Sequence, residues 1–257
     1  MKQGNKATIA KSIRTAMLVL GGMGSAFVPV SVLAADMDNA VTDTSDTVVY
    51  WGSDAVLKGS GYHGIGIDAG FATAINGNLS SSGWIISGNT GYSHTKDAGS
   101  KTNSFYTSAL FGHLWQMPDY YLSLSGGVNF NNNDETPSGG KTDGSKVGAV
   151  LAYGFETKSV DALYVQSYGS VSTVYNQLYL HGKLGYKTAS FNYGGEYTFS
   201  DDKGSKATHR FGGFIGDISI GEKVTMGVSA GYQHSREPGD KDGAYATIAF
   251  SMPISFH

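Results

Sequence analysis

Apolar and polar residues alternate along most of the chain, most plainly at its carboxyl end. Phe256, Ile254, Met252, Phe250, Ile248 and Ala246 take every second position, separated by Ser255, Pro253, Ser251, Ala249, Thr247 and Tyr245. A strand sends successive side chains to opposite faces, so this segment has one greasy face and one wet face. The same period sets Tyr120, Leu122, Leu124, Val128 and Phe130 against Tyr121, Ser123, Ser125 and Asn129. It also sets Val147, Ala149, Leu151, Tyr153 and Phe155 against Lys146, Gly148 and Glu156. Any half-buried sheet produces such alternation, so the pattern gives strands before it gives an environment.

Turn chemistry divides the chain into about twelve strand-sized pieces, near 47–57, 62–76, 83–94, 104–116, 120–131, 145–156, 162–171, 177–187, 190–200, 208–219, 222–235 and 243–256. The connections alternate in character. Met117-Pro118-Asp119, Thr188-Ala189 and Gly221-Glu222 are short, with somewhat longer links at 77–82 and 157–161. Lys96 to Asn103, Asn131 to Gly144, Asp201 to Ala207 and Arg236 to Asp242 are longer and rich in Asp, Gly, Lys and Ser. Short periplasmic turns with longer outer loops are the asymmetry of an outer-membrane barrel. Aromatics gather at strand ends, as in Trp84 with Tyr92, Phe105 with Trp115, and Phe191 with Phe199, which predicts two interfacial girdles.

The amino end decides between this barrel and a soluble β-sandwich or calyx. Lys2, Lys6, Lys11 and Arg14 form a basic start, and no acid precedes Asp36. An apolar run from Ala16 to Leu33 follows, then Ala34 and Ala35. This is the layout of a secretory signal peptide over residues 1–35, and its glycines and Pro29 make a poor spanning helix. Residues 36–46 are expected as a short periplasmic segment and 47–257 as the barrel. The fold class expected is all-β: an antiparallel transmembrane β-barrel of about twelve strands in the bacterial outer membrane, with both termini periplasmic.

Composition narrows the chemistry. The 257 residues hold 37 Gly, 16 Tyr, 12 Phe and only 5 Pro, as many twisted strands require. Cys is absent, which excludes a disulfide framework, thiolate metal sites and thiol catalysis. A net charge of −3 without a basic patch gives no reason to expect a nucleic-acid partner. No Gly-x-Ser-x-Gly elbow occurs, and no His, Asp and Glu cluster has metal-ligand spacing, so an enzyme is not expected. Asp134-Glu135, Asp201-Asp202 and Asp240 to Asp242 are acidic loop tips, read as solvated loops before weak calcium sites.

One hairpin gives a candidate site. If Thr188-Ala189 is a two-residue turn, Tyr186 lies opposite Phe191, Leu184 opposite Tyr193 and Leu180 opposite Tyr197, all on a lipid face. The other face then pairs His181 with Glu196, with Lys183 one pleat away. Mid-strand charges belong in the lumen, because the lipid face penalises them by ~2–4 kcal/mol at mid-depth. His181, Lys183, Glu196 and Arg210 therefore form a candidate lumen cluster, with Asp68 and Glu156 also assigned inward. The plainer alternative is an ion-pair network that fills the barrel.

Several segments, taken in order, carry a family resemblance. They are Val48-Val49-Tyr50-Trp51-Gly52, Ala74-Ile75-Asn76-Gly77-Asn78-Leu79 with Gly83-Trp84, and Ser172-Thr173-Val174-Tyr175-Asn176 leading into Leu184-Gly185-Tyr186. Gly194-Gly195-Glu196, Arg210-Phe211-Gly212-Gly213-Phe214, Ser229-Ala230-Gly231-Tyr232 and Gly243-Ala244-Tyr245 continue the series. In these the chain resembles the cellulose-biosynthesis outer-membrane protein family BcsS, found mainly in alphaproteobacteria alongside cellulose synthase. Relatives tend to carry Arg where this chain has His181 and Lys183, and an unperturbed His is mostly neutral at pH 7. The resemblance implies an accessory of cellulose export or surface organisation, with outer-membrane lipid, cellulose and other secretion components as partners. A small general outer-membrane channel or structural barrel is the alternative, and an outer-membrane enzyme the third reading.

Overall fold

The computed structural model describes residues 45–58, 63–97, 99–203, 207–236 and 242–255. The expected leader, residues 36–44, Phe256 and His257 lie outside the described residues.

Twelve antiparallel strands close into one barrel. They are β1 (Thr47–Lys58), β2 (His63–Ala74), β3 (Gly83–Asp97), β4 (Ser100–Gln116), β5 (Tyr120–Thr136), β6 (Gly144–Thr157), β7 (Ala162–Ser172), β8 (Gln177–Lys187), β9 (Asn192–Asp201), β10 (Thr208–Ile220), β11 (Val224–Ser235) and β12 (Gly243–Ile254). Each strand pairs with its sequence neighbours, and β1 closes on β12 from Thr47 opposite Ile254 to Lys58 opposite Gly243. Closure leaves no unpaired strand edge, which hydrocarbon would not tolerate. The start of β1 and the end of β12 share the periplasmic rim.

Alternation sorts the side chains as the sequence indicates. Ile67, Leu124, Val128, Leu151, Leu184 and Phe211 point outward and are exposed. On β3, Trp84 and Tyr92 are both exposed, eight positions apart. That is ~26 Å along a strand, or ~20 Å in height at a tilt of ~40°, close to the ~25 Å apolar band of such barrels. Trp84 stacks on Phe111 at 4.9 Å and Trp51 on Phe250 at 5.6 Å, so neighbouring strands share the girdle rings.

Two loops are shorter than their composition predicts. β3 runs to Asp97, β4 starts at Ser100, and β5 reaches Thr136, so the ladder consumes much of the expected loops at 96–103 and 131–144. Above the hydrocarbon both faces of a strand meet polar surroundings, and the apolar alternation that marks a strand disappears. Thr95, Thr102, Asn131 and Asn133 fill the inner face there, while Lys96 and Lys101 stand outside.

The 188–191 hairpin is also a correction. The turn has four residues rather than two: Thr188 N–H donates to the Phe191 carbonyl at 2.9 Å, and Thr188 Oγ1 accepts from Phe191 N–H at 3.1 Å. Tyr186 accordingly faces Tyr193, Lys183 faces Glu196, and His181 faces Thr198. The slip is two residues, so every side chain keeps its face.

The periplasmic end is plugged. The link between β2 and β3 folds back so that Leu79 N–H donates to the Ser45 carbonyl at 3.0 Å. Leu79 then packs with Val48, Ala72, Ile85, Leu114 and Tyr121, none more than 2% exposed. Burying each larger side chain of this set contributes about 1.5–3 kcal/mol.

Candidate site in the barrel lumen

The inner wall is uneven. On β3 to β6 it carries short polar side chains such as Ser87, Asn89, Ser108, Ser123, Ser125 and Asn129, all buried, around the apolar group Leu110, Val150 and Ala152. The remaining wall carries tyrosines and charges. Inward tyrosines lie flat where a glycine faces them: Tyr50 covers Gly70, and Tyr245 covers Gly212, where a Cβ would collide with the ring.

All four residues of the expected cluster line one cavity of about 200 Å³. On β1, β11 and β12 its lining includes the small residues Gly52, Gly227, Ser229, Thr247 and Ala249 beside Tyr50, Asp54 and Tyr245, while β7 and β8 present Tyr164, Tyr168, Tyr179 and Lys183. His181 on β8 takes Thr198 Oγ1 at 2.8 Å through Nδ1, and the Tyr168 ring stacks on its imidazole at 4.6 Å. Its Nε2 stands 3.7 Å from Glu196 Oε2. Tyr245 O–H donates to the other Glu196 oxygen at 2.7 Å. Arg210 donates through Nε to Gln233 Oε1 at 2.8 Å and pairs with Asp54 at 3.3 Å, with its guanidinium over the Tyr245 ring. Lys183 Nζ sits 4.8 Å from the Phe214 ring centre. Asp68 lines the same cavity.

Glu156 belongs to a second, tighter group nearer the periplasm. It is 0% exposed and accepts from Tyr164 O–H at 2.8 Å, Tyr121 O–H at 2.9 Å and Gln166 Nε2 at 2.9 Å. Beside it Lys187 pairs with Asp217 at 3.7 Å, and Asn192 donates to Asp217 at 2.7 Å. Asp217 reaches the lumen through a bulge between Ile215 and Ile218, where its own φ is +58°. Asp tolerates that left-handed geometry better than most residues. Neither the bulge nor the Tyr168–His181 stack leaves a trace in strand alternation, whereas Asp54 and Gln233 sit at inward positions that alternation alone would have assigned.

Around the turn between β5 and β6 two carboxylates are engaged locally. Glu135 accepts from Thr142 Oγ1 at 2.6 Å, and Asp143 accepts from the backbone N–H of Gly139 at 2.7 Å and of Glu135 at 3.2 Å. Those N–H donors hold the Asp143 carboxyl below the usual range. Among the described residues no group of three His, Asp or Glu is placed to hold a metal ion.

Solved structures similar to this chain are barrels of low sequence identity. The translocator domain of autotransporter NalP from Neisseria meningitidis is 10% identical, with a TM-score of 0.49, covering 87% of this chain and 93% of that one. LpxR from Salmonella typhimurium is 11% identical, with a TM-score of 0.48, covering 80% and 100%. The beta domain of the Bordetella autotransporter Brka is 13% identical, with a TM-score of 0.47, covering 82% and 99%. No curated protein matches the chain significantly. The family model "Cellulose biosynthesis protein BcsS" matches residues 48–254, from the first strand of the barrel to the last. The chain thus belongs to the BcsS family of cellulose biosynthesis proteins and is an outer-membrane β-barrel.

Proposed function

We propose that this barrel is an accessory of cellulose export or surface organisation that acts after the polymer has left the inner membrane and performs no polymerisation itself. Membership of the BcsS family carries the link to cellulose. Location carries the rest: a barrel in the outer membrane is one membrane away from the cytoplasmic nucleotide sugars that polymerisation consumes. Cellulose is neutral, so a barrel would meet it through aromatic faces and hydrogen-bonding groups rather than through charge. The packed periplasmic mouth, with Val48, Leu79, Ile85 and Leu114 nearly inaccessible, favours docking or organisation of the glucan over free passage through this lumen.

Deleting the gene is expected to change the amount or arrangement of surface cellulose while synthase activity in isolated inner membranes stays at the wild-type level. Lost in-vitro activity with the synthase present would contradict a downstream role. Unchanged surface cellulose would favour the reading as a small general channel or structural barrel.

A further inference from the structure

We propose that the hollow half of the lumen is a binding site for one ring of a neutral saccharide. The cavity's size comes first. A cavity of about 200 Å³ suits a small ligand such as a single hexose ring rather than a wide passage. Its polar equipment comes second. His181 Nε2 and Glu196 Oε2 have no hydrogen-bond partner, although both residues are more than nine-tenths buried and line the cavity. Buried polar atoms left unsatisfied are costly, so they favour a ligand that satisfies them. They stand 3.7 Å apart, too far to bond each other directly. A ligand hydroxyl set beside them can donate to the carboxylate oxygen and engage the imidazole nitrogen at once, because a hydroxyl is both donor and acceptor.

The surroundings select the class of ligand. Tyr164, Tyr168 and Tyr179 line the cavity, and aromatic walls suit the C–H faces of a pyranose. Asp54, Asp68, Glu196 and Asp217 outnumber Lys183 and Arg210 among the lining charges, which repels uronic acids and phosphorylated sugars. Gly227 shows that space is really free, since a Cβ there would meet nothing nearer than 3.7 Å. That the sugar is a β-linked glucan rests on the cellulose reading; that it is a neutral saccharide rests on the cavity.

The full barrel, refolded in a detergent without a sugar head group, is titrated with methyl β-glucoside, cellobiose, maltose and digalacturonate. Each sugar is also supplied during refolding, so that access is not limiting, and binding is read by calorimetry and saturation-transfer NMR. Methyl β-glucoside and cellobiose are expected to bind and digalacturonate to be refused. Gly227→Leu and Ala249→Leu, which push bulk into the cavity, are expected to weaken binding on the order of ten-fold or more, about 1.4 kcal/mol per ten-fold. Retained heat-dependent gel mobility certifies that each variant is folded, and Glu196→Gln, which adds no bulk, provides a second test through a several-fold loss. No binding of any neutral sugar, or equal binding by both filled variants, overturns the proposal. Equal binding of maltose and cellobiose supports the site and counts against its assignment to cellulose, which the gene deletion tests separately.

Discussion

Leu124→Arg is expected to destabilise the folded barrel in lipid vesicles by about 2–4 kcal/mol, whereas Leu57→Arg costs about 0–1 kcal/mol. Both leucines point outward and are well exposed on the barrel surface. They differ in depth. Leu124 lies between Tyr120 near the periplasmic rim and Phe130 toward the outer rim of β5, so an arginine there has no water or headgroup within easy reach. Leu57 is the penultimate residue of β1, opposite His63 at the outer rim, where a guanidinium can snorkel. Reversible unfolding in denaturant, monitored by tyrosine and tryptophan fluorescence, gives both values. Equal costs at the two depths would mean that this surface does not face a bilayer.

Glu156→Ala is expected to cost about 3 kcal/mol or more, and Glu156→Gln about 1 kcal/mol. The carboxylate is the common acceptor for two tyrosine hydroxyls and one amide from the two flanking strands, β5 and β7. Removing it leaves Tyr121, Tyr164 and Gln166 without that acceptor in a region closed to solvent, while glutamine retains one acceptor oxygen. The same unfolding experiment reports the loss. Tolerance of alanine at this position would show that water fills the periplasmic end of the lumen and that the plug is open.

The strand plan was legible because lipid imposes a rule on every residue between the girdles. Leu124, Val128 and Ile248 had to alternate with small or polar partners, and the twelve pieces read from that alternation correspond one to one with β1 to β12. The rule ends where the hydrocarbon ends. Asn131 to Thr136 pair with β4 just as firmly, but both of their faces are polar, so composition makes them look like loop. Inside the periplasmic rim the rule fails in the opposite sense. Ile85 and Ile86 are adjacent and equally apolar, yet Ile85 plugs the lumen at 1% exposure and Ile86 meets lipid.

The lumen cluster was half legible for a related reason. Parity alone sends His181, Lys183, Glu196 and Arg210 inward, and the two-residue slip at the 188–191 turn preserves parity. Which inward residues touch depends on the turn and on the tilt of the strands, neither of which alternation encodes. Lys183 is the ladder neighbour of Glu196, yet Glu196 engages His181 along the diagonal and Tyr245 from β12. The bulge that delivers Asp217 to Lys187 is hidden in the same way, because an extra residue disturbs the very period by which strands are read.

As an outer-membrane barrel, the chain turns its apolar face to lipid. Membrane fractionation followed by gel electrophoresis with and without heating tests it most directly. The barrel account predicts that the protein sediments with the outer membrane and migrates differently when unheated, as a closed sheet resisting detergent does. Recovery as a soluble monomer from a detergent-free periplasmic extract would contradict it.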